Sequence, residues 1–167
     1  MCGGYSEGMQ RRHALPLILL SPLALNGCGF VVVHTARKIY QDSTQQKGAV
    51  EQALARYREA LLNSDASKAA AFYTEDAQLS QGDATPLSGR LAILSSLKQP
   101  EGWRMLDCEW KAASTDVDGQ RAKQRGSFRQ QTVAPQGQTV EVQGRFDLHW
   151  ARQGGDWRIT RLHTDPA

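Results

Sequence analysis

The sequence is poor in the features that most often announce a chemistry. Its 167 residues include three cysteines, Cys2, Cys28 and Cys108. Two lie in the N-terminal segment and one stands alone in the body of the chain, so no disulfide framework is available. Cys108 reads as a small buried hydrophobe. No His and Cys residues stand at metal-ligand spacing, and nothing calls for a metal or an organic cofactor. The body of the chain also lacks an excess of charge. From Gly48 onward fifteen Lys and Arg face fifteen Asp and Glu, and the formal excess of +3 comes from residues ahead of Gly48. Nucleic-acid binding needs clustered positive charge to neutralise phosphates, so nucleic acid is not expected as the main partner.

The apolar stretch at the front is informative. Met9-Gln10-Arg11-Arg12 precedes Ala14 to Leu25, a run broken by Pro16, Ser21 and Pro22 that ends in Leu25-Asn26-Gly27-Cys28. A basic start, an apolar centre and small residues at the exit describe an export signal. Met9 makes a more ordinary start than Met1, because it sets the two arginines directly ahead of the run. The last four residues resemble the signal box of bacterial lipoproteins, with Leu25 and Gly27 in place and Asn26 departing from the small or apolar residue usual there. That resemblance implies that residues 1–28 are a signal segment and that Cys28 is lipidated. Several acyl chains, at ~0.8 kcal/mol per buried CH₂, would then hold the chain in the membrane. Two alternatives stand beside it. Ala14 to Val33 is close to the roughly 20 residues that span a bilayer, though two prolines and Asn26 weaken it; the other alternative is cleavage without lipid. Both membrane-bound forms place the domain in the cell envelope, outside the cytoplasm. Residues 29–47 read as a polar tether, and residues 48–165 as one domain.

Within that domain Val50, Leu54, Tyr57 and Leu61 recur at helical spacing, predicting a helix over 48–63. Asp65 caps a second helix carrying Ala69, Phe72 and Tyr73, which stops at Thr74-Glu75-Asp76. A short strand over 77–80 and a turn at 81–83 lead to a third helix, Ser88 to Leu97, with Ser88 as its cap. From Trp103 the period changes to two. Leu106, Cys108, Trp110 and Ala112 share one face of a strand, and Asp116-Val117-Asp118-Gly119 turns it back. Gly126 and Phe128 continue that face on the next strand. After the turn at Pro135-Gln136-Gly137, Val140, Val142, Gly144, Phe146, Leu148 and Trp150 continue it. Gln153-Gly154-Gly155-Asp156 closes a final hairpin with Trp157 and Ile159 on its return. The expected architecture is α+β: three helices packed on a curved antiparallel meander.

This order of residues resembles the nuclear-transport-factor-2-like (NTF2-like) superfamily, and within it the SnoaL-like and DUF4440 groups. Phe72-Tyr73-Thr74-Glu75-Asp76-Ala77, Ser88-Gly89-Arg90-Leu91-Ala92-Ile93, Gly126-Ser127-Phe128, Gly144-Arg145-Phe146 and Trp150 through Ile159 carry the resemblance. It implies a cone in which a bent sheet wraps the helices around a pocket at the open end, commonly as a homodimer. It leaves the activity open, because the fold hosts isomerases, dehydratases, cyclases and transport factors.

Enzymes on this fold generally place an Asp or His in the apolar cavity as acid or base. Strand parity turns Asp107, Glu109, Lys123, Arg125, Arg129, Glu141, Arg145, Asp147 and His149 to the outer face. The neighbours Asp147 and His149 therefore read as surface rather than as an acid–base pair, unless a bulge reverses them. His163 shares the parity of Trp157 and Ile159 and is the histidine expected near the cone's opening. Tyr57, Tyr73, Trp110, Phe128, Trp150 and His163 are thus the candidate ligand-binding residues. The favoured activity is binding of a small apolar ligand or a protein partner, with no catalytic residue assigned. The alternatives are an acid–base isomerase or hydrolase using His163 with Tyr57 or Tyr73, and an interaction module pairing through the outer sheet face. Mass spectrometry of the mature protein should find acyl groups on Cys28; an intact segment 9–28 would refute the lipoprotein assignment.

Overall fold

The computed structural model describes residues 28–167, with side chains from Asp42 onward. The signal-like segment therefore lies outside the described residues, apart from Cys28 itself. The first helix, α1, runs Cys28–Leu62. The helix expected at 48–63 is thus the C-terminal part of a longer one, and the segment read as a polar tether is helical. The later turns of α1 carry the apolar stripe: Val50, Ala53, Leu54, Tyr57 and Ala60 are all buried. The chain reverses at Ser64, which takes a left-handed φ of 54°. Helix α2, Ala66–Ala71, follows with Asp65 as its cap, and the Asp65 carboxylate accepts the Lys68 backbone N–H at 2.9 Å. This is the cap that the sequence predicts, and it satisfies one of the orphan N–H groups of the first turn.

Strand β1 spans Tyr73–Gln81 and β2 is the short pair Leu87–Ser88. Tyr73 is accordingly the first residue of a strand rather than the last of a helix. It pairs with Ile159 and is fully buried, so tertiary pairing overrides a helical continuation of the Ala-rich α2. Helix α3, Arg90–Leu97, starts from Gly89 (φ 89°) with no side-chain cap, so Ser88 belongs to β2 and does not cap it. Three long strands and a slightly shorter one complete the chain: β3 Arg104–Asp118, β4 Arg121–Val133, β5 Thr139–Gln153 and β6 Asp156–Pro166. The first hairpin turns at Gly119, one residue beyond the Asp118 end of β3.

All six strands form one sheet in the order β2-β1-β6-β5-β4-β3. The meander β3 to β6 is antiparallel as expected, but β1 joins β6 in parallel, so the sheet is mixed. Its concave face holds α1, and α2 and α3 pack at one end. The bend is built from missing Cβ atoms and extra residues. A Cβ on Gly126 would overlap the Lys111 carbonyl, and one on Gly144 would overlap that of Asp165. Only glycine allows the strands this approach. Opposite Gly126 the β3 register slips between Ala112 and Ser114, leaving Ala113 as an extra residue. A second slip between Met105 and Asp107 turns Met105 toward the core side and leaves Leu106 half exposed. Leu106, expected inside, is therefore exposed, because the bulge it occupies breaks the alternation; Ala112 keeps its register opposite Gly126 and is exposed as well.

Two glycines test this account in opposite directions. Gly48 sits in α1 with open space around it, so Gly48→Ala should stabilise by about 0.5–1 kcal/mol, the helical cost of glycine. Gly126→Ala should destabilise by about 1–3 kcal/mol, as for overpacking. Urea denaturation read by tryptophan fluorescence measures both.

Candidate functional site

The open end of the cone contains a cleft of about 380 Å³ between the C-terminal turns of α1, the loop after α3 and the concave face of the sheet. Tyr57, Leu79, Trp103, Met105, Trp110, Phe128, Val142 and Leu162 supply its apolar wall. Its size falls in the usual range for small-molecule sites, roughly 300–1,000 Å³. The wall is stiffened by aromatic packing. The Tyr57 ring meets Phe72, Tyr73 and Trp110 edge-on with centroids 5.8–5.9 Å apart, and Trp110 stacks on Phe128 at 5.3 Å and leans on Phe146 at 5.0 Å. Such pairs stabilise beyond the area they bury.

Of the six residues expected to bind ligand, Tyr57, Trp110 and Phe128 line this cleft. Tyr73 lies behind the wall, its hydroxyl 2.8 Å from that of Tyr57. Trp150 is buried in a separate part of the core. Its indole N–H donates to Gln124 Oε1 at 2.9 Å, and Gln124 Nε2 donates to Thr115 Oγ1 at 3.1 Å. His163 is on the other side of the sheet. Trp150 pairs with Ile159 but His149 pairs with Arg161, so Thr160 is an extra residue in β6. The inward set changes there from Trp157 and Ile159 to Leu162 and Thr164. His163 emerges on the convex face opposite Asp147, with Nδ1 2.8 Å from Ser80 Oγ. A bulge thus reverses a parity inference on β6, while Asp147 and His149 on β5 keep the outward placement expected for them.

The convex face is a lattice of ion pairs. Asp147 Oδ2 lies 3.1 Å from Lys123 Nζ and 3.2 Å from Arg125 Nε, and its Oδ1 lies 2.8 Å from His149 Nε2. Partial burial works to raise the Asp147 pKa, but the hydrogen bonds from Lys123 and Arg125 outweigh it and hold the carboxyl below its ordinary value. Arg129 similarly spans Asp107, Glu109 and Glu141. Half-exposed pairs of this kind contribute little each.

Inside the cleft the ionisable groups have other tasks. Asp65 caps α2, and its carboxyl is lowered by the Lys68 backbone N–H and by the Lys68 ammonium 3.0 Å away. Lys98 is exposed at the rim. Burial pushes the Cys108 thiol up, which keeps it protonated. Gln130 donates to the Cys108 sulfur at 3.7 Å. Two polar atoms of the wall have no hydrogen-bond partner among the described residues, Trp110 Nε1 and Gln99 Oε1. The indole N–H lies beside the Cys108 sulfur without the geometry of a hydrogen bond. Among the described residues no group of three or more His, Cys, Asp or Glu is arranged to hold a metal ion. Gln124 and Gln130 were legible as inward residues, since they share the parity of Phe128. Met105 was not, because a bulge places it.

Burial raises the pKa values of Tyr57 and Tyr73 above the ordinary 10.0, with the Tyr57 hydroxyl adding to the effect on Tyr73. The folded state therefore holds these protons when the unfolded chain has lost them. Their contribution to stability is complete below pH 10 and falls as pH rises beyond it. Thermal melts between pH 8 and pH 11 should show that decline in the wild type, and a smaller one in the Tyr57→Phe/Tyr73→Phe double variant.

The comparisons with known proteins agree with this geometry. The family model described as a SnoaL-like domain matches residues 42–163. No curated protein matches the chain. Among solved structures, a ketosteroid isomerase-like protein from Erwinia carotovora atroseptica is 16% identical with a TM-score of 0.63, covering 72% of this chain and 95% of its own. An NTF2-like protein with a cystatin-like fold from Novosphingobium aromaticivorans is 16% identical with a TM-score of 0.61, covering 84% and 92%. A candidate scytalone dehydratase from the same organism is 18% identical with a TM-score of 0.65, covering 76% and 88%. At such identities the likeness speaks for the fold, and these neighbours differ in activity. With its helices cradled in a bent six-stranded sheet and the family match running from the last turns of α1 to β6, the chain belongs to the SnoaL-like family of the NTF2-like superfamily.

Proposed function

We propose that this domain binds a small apolar ligand in the cleft at the open end of the cone, and that Cys28 lipid tethers it to the cell envelope. The observation that carries the binding reading is the cleft itself. It has an aromatic wall held in place by Tyr57, and the histidine that would have supplied an acid or base lies behind the sheet. Tyr57 and Tyr73 engage each other and are driven by burial toward the neutral form, which suits volume and shape rather than proton transfer at neutral pH. The acid–base reading built on His163 with either tyrosine therefore loses its geometry.

The tether reading rests on the sequence around Cys28 and on the placement of the net positive charge ahead of Gly48. No described helix is long and apolar enough to cross a membrane. A lipid at Cys28 needs none.

Naphthalene is a suitable neutral probe for the cleft. Calorimetry should detect its binding with a negative heat-capacity change, the mark of apolar burial. Val142→Trp, at a half-exposed position on the wall, should weaken it by about tenfold or more by filling the space. Equal binding by the two folded proteins, or none by the wild type, would reject the cleft as the ligand site.

A further inference from the structure

Helix α1 joins two features that lie at its opposite ends. Tyr57, Ala60 and Leu61 from its last turns line the cleft, while Cys28 stands at the other end. At 1.5 Å per residue the rise from Cys28 to Leu61 is roughly 50 Å. No proline interrupts Cys28–Leu62, and proline is the usual cause of a sharp kink. Among its residues with described side chains, Val50 is the first that is buried, and Asp42, Ser43, Thr44 and Gln45 are all exposed. The turns ahead of Val50 thus continue the axis of a helix that packing on the sheet has already nucleated, which spares them the cost of starting one alone.

The charges are distributed along the same axis. Ahead of Gly48, α1 carries Arg37, Lys38 and Lys47 against Asp42, and Arg37 and Lys38 come shortly after the apolar run Phe30-Val31-Val32-Val33. A cysteine that bears lipid, then apolar residues, then cations is an order that suits a chain leaving a bilayer with anionic headgroups. From Gly48 onward Lys and Arg balance Asp and Glu at fifteen each, so the domain has no net charge to draw it down onto such a surface.

We infer that α1 is a stand-off rod. On the premise that Cys28 is lipidated, it sets Arg37 and Lys38 at the headgroups and holds the cleft roughly 35 Å above them, at the end of the domain remote from the bilayer. A guest then reaches the cleft from the aqueous phase, and the lipid fixes the height of the domain without supplying the cleft. A flexible tether of the same length would instead let the cleft meet the membrane.

The lipidated full-length protein tests this in vesicles of phosphatidylcholine and phosphatidylglycerol that carry an energy-transfer acceptor on their headgroups. A donor dye is placed at Lys98→Cys on the cleft rim or at exposed Gln45→Cys on α1, Cys108 being buried. The Lys98 donor should stand about 20 Å farther from the acceptor plane than the Gln45 donor, the rise along α1 between Gln45 and the turns that line the cleft. Inserting eleven helix-forming residues after Gln45, about three turns, should lift the Lys98 donor by about 16 Å. Replacing residues 42–46 by glycine and serine should bring it down toward the surface. Tryptophan emission, with Trp103 in the cleft, should be the same in brominated and ordinary lipid. Equal heights for the two donors, a height unmoved by the insertion, or quenching by brominated lipid would overturn the rod while leaving the lipid tether in place. Protein that does not float with the vesicles would instead reject the tether itself, and the rod with it.

Discussion

The contact on which this domain depends is the burial of Tyr57 against the concave face of the sheet. It projects from α1 into the junction of α2, β1 and β3, where its ring meets Phe72, Tyr73 and Trp110. Its hydroxyl is paired with that of Tyr73, so the deepest polar group of the helix is satisfied by the first residue of the strand that follows. A helix lying across a sheet is otherwise free to slide and rotate on a greasy surface. An edge-on aromatic cluster with a single internal hydrogen bond fixes both its depth and its rotation. The cleft is the space left beyond that cluster, because the sheet extends past the last turn of α1, leaving Val142 exposed and Met105 partly so.

The sheet can wrap α1 only because it bends, and the bend sorts the side chains. Gly126 and Gly144 let β4 and β5 approach the neighbouring backbones, and the bulge at Ala113 takes up the extra length on β3. Each irregularity also moves residues from one face to the other. At Thr160 the consequence is largest: Leu162 and Thr164 enter the core and His163 leaves it. A single extra residue in β6 decides that the cleft has no histidine from this strand. The polar chemistry of the two faces then diverges. Outside, charges neutralise one another in water; inside, the Trp150 indole and the Gln124 amide are satisfied in turn.

The limits of legibility follow from that. Helical periodicity found the buried stripe Val50, Leu54 and Tyr57, and the capping role of Asp65 was readable three residues ahead of Lys68. Period-two alternation placed Cys108, Trp110, Phe128, Phe146, Leu148 and Trp150 inside and Asp147 and His149 outside, as observed. It failed at Leu106 and His163, which occupy or follow a bulge. It also gave no hint that Tyr73 opens a strand, since the parallel pairing with Ile159 joins residues far apart in the chain.

What the sequence by itself determined is therefore the fold: a short-range code of alternation, caps and glycine spacing specifies helices cradled by a curved sheet, and needs only neighbours along the chain to be read. Which residues form the site was decided by the tertiary structure. A cavity wall is assembled from α1, the loop after α3 and four strands, and its membership turns on strand register. Register is a property of pairs of strands, set by where an extra residue is extruded, and no single stretch of the chain contains it.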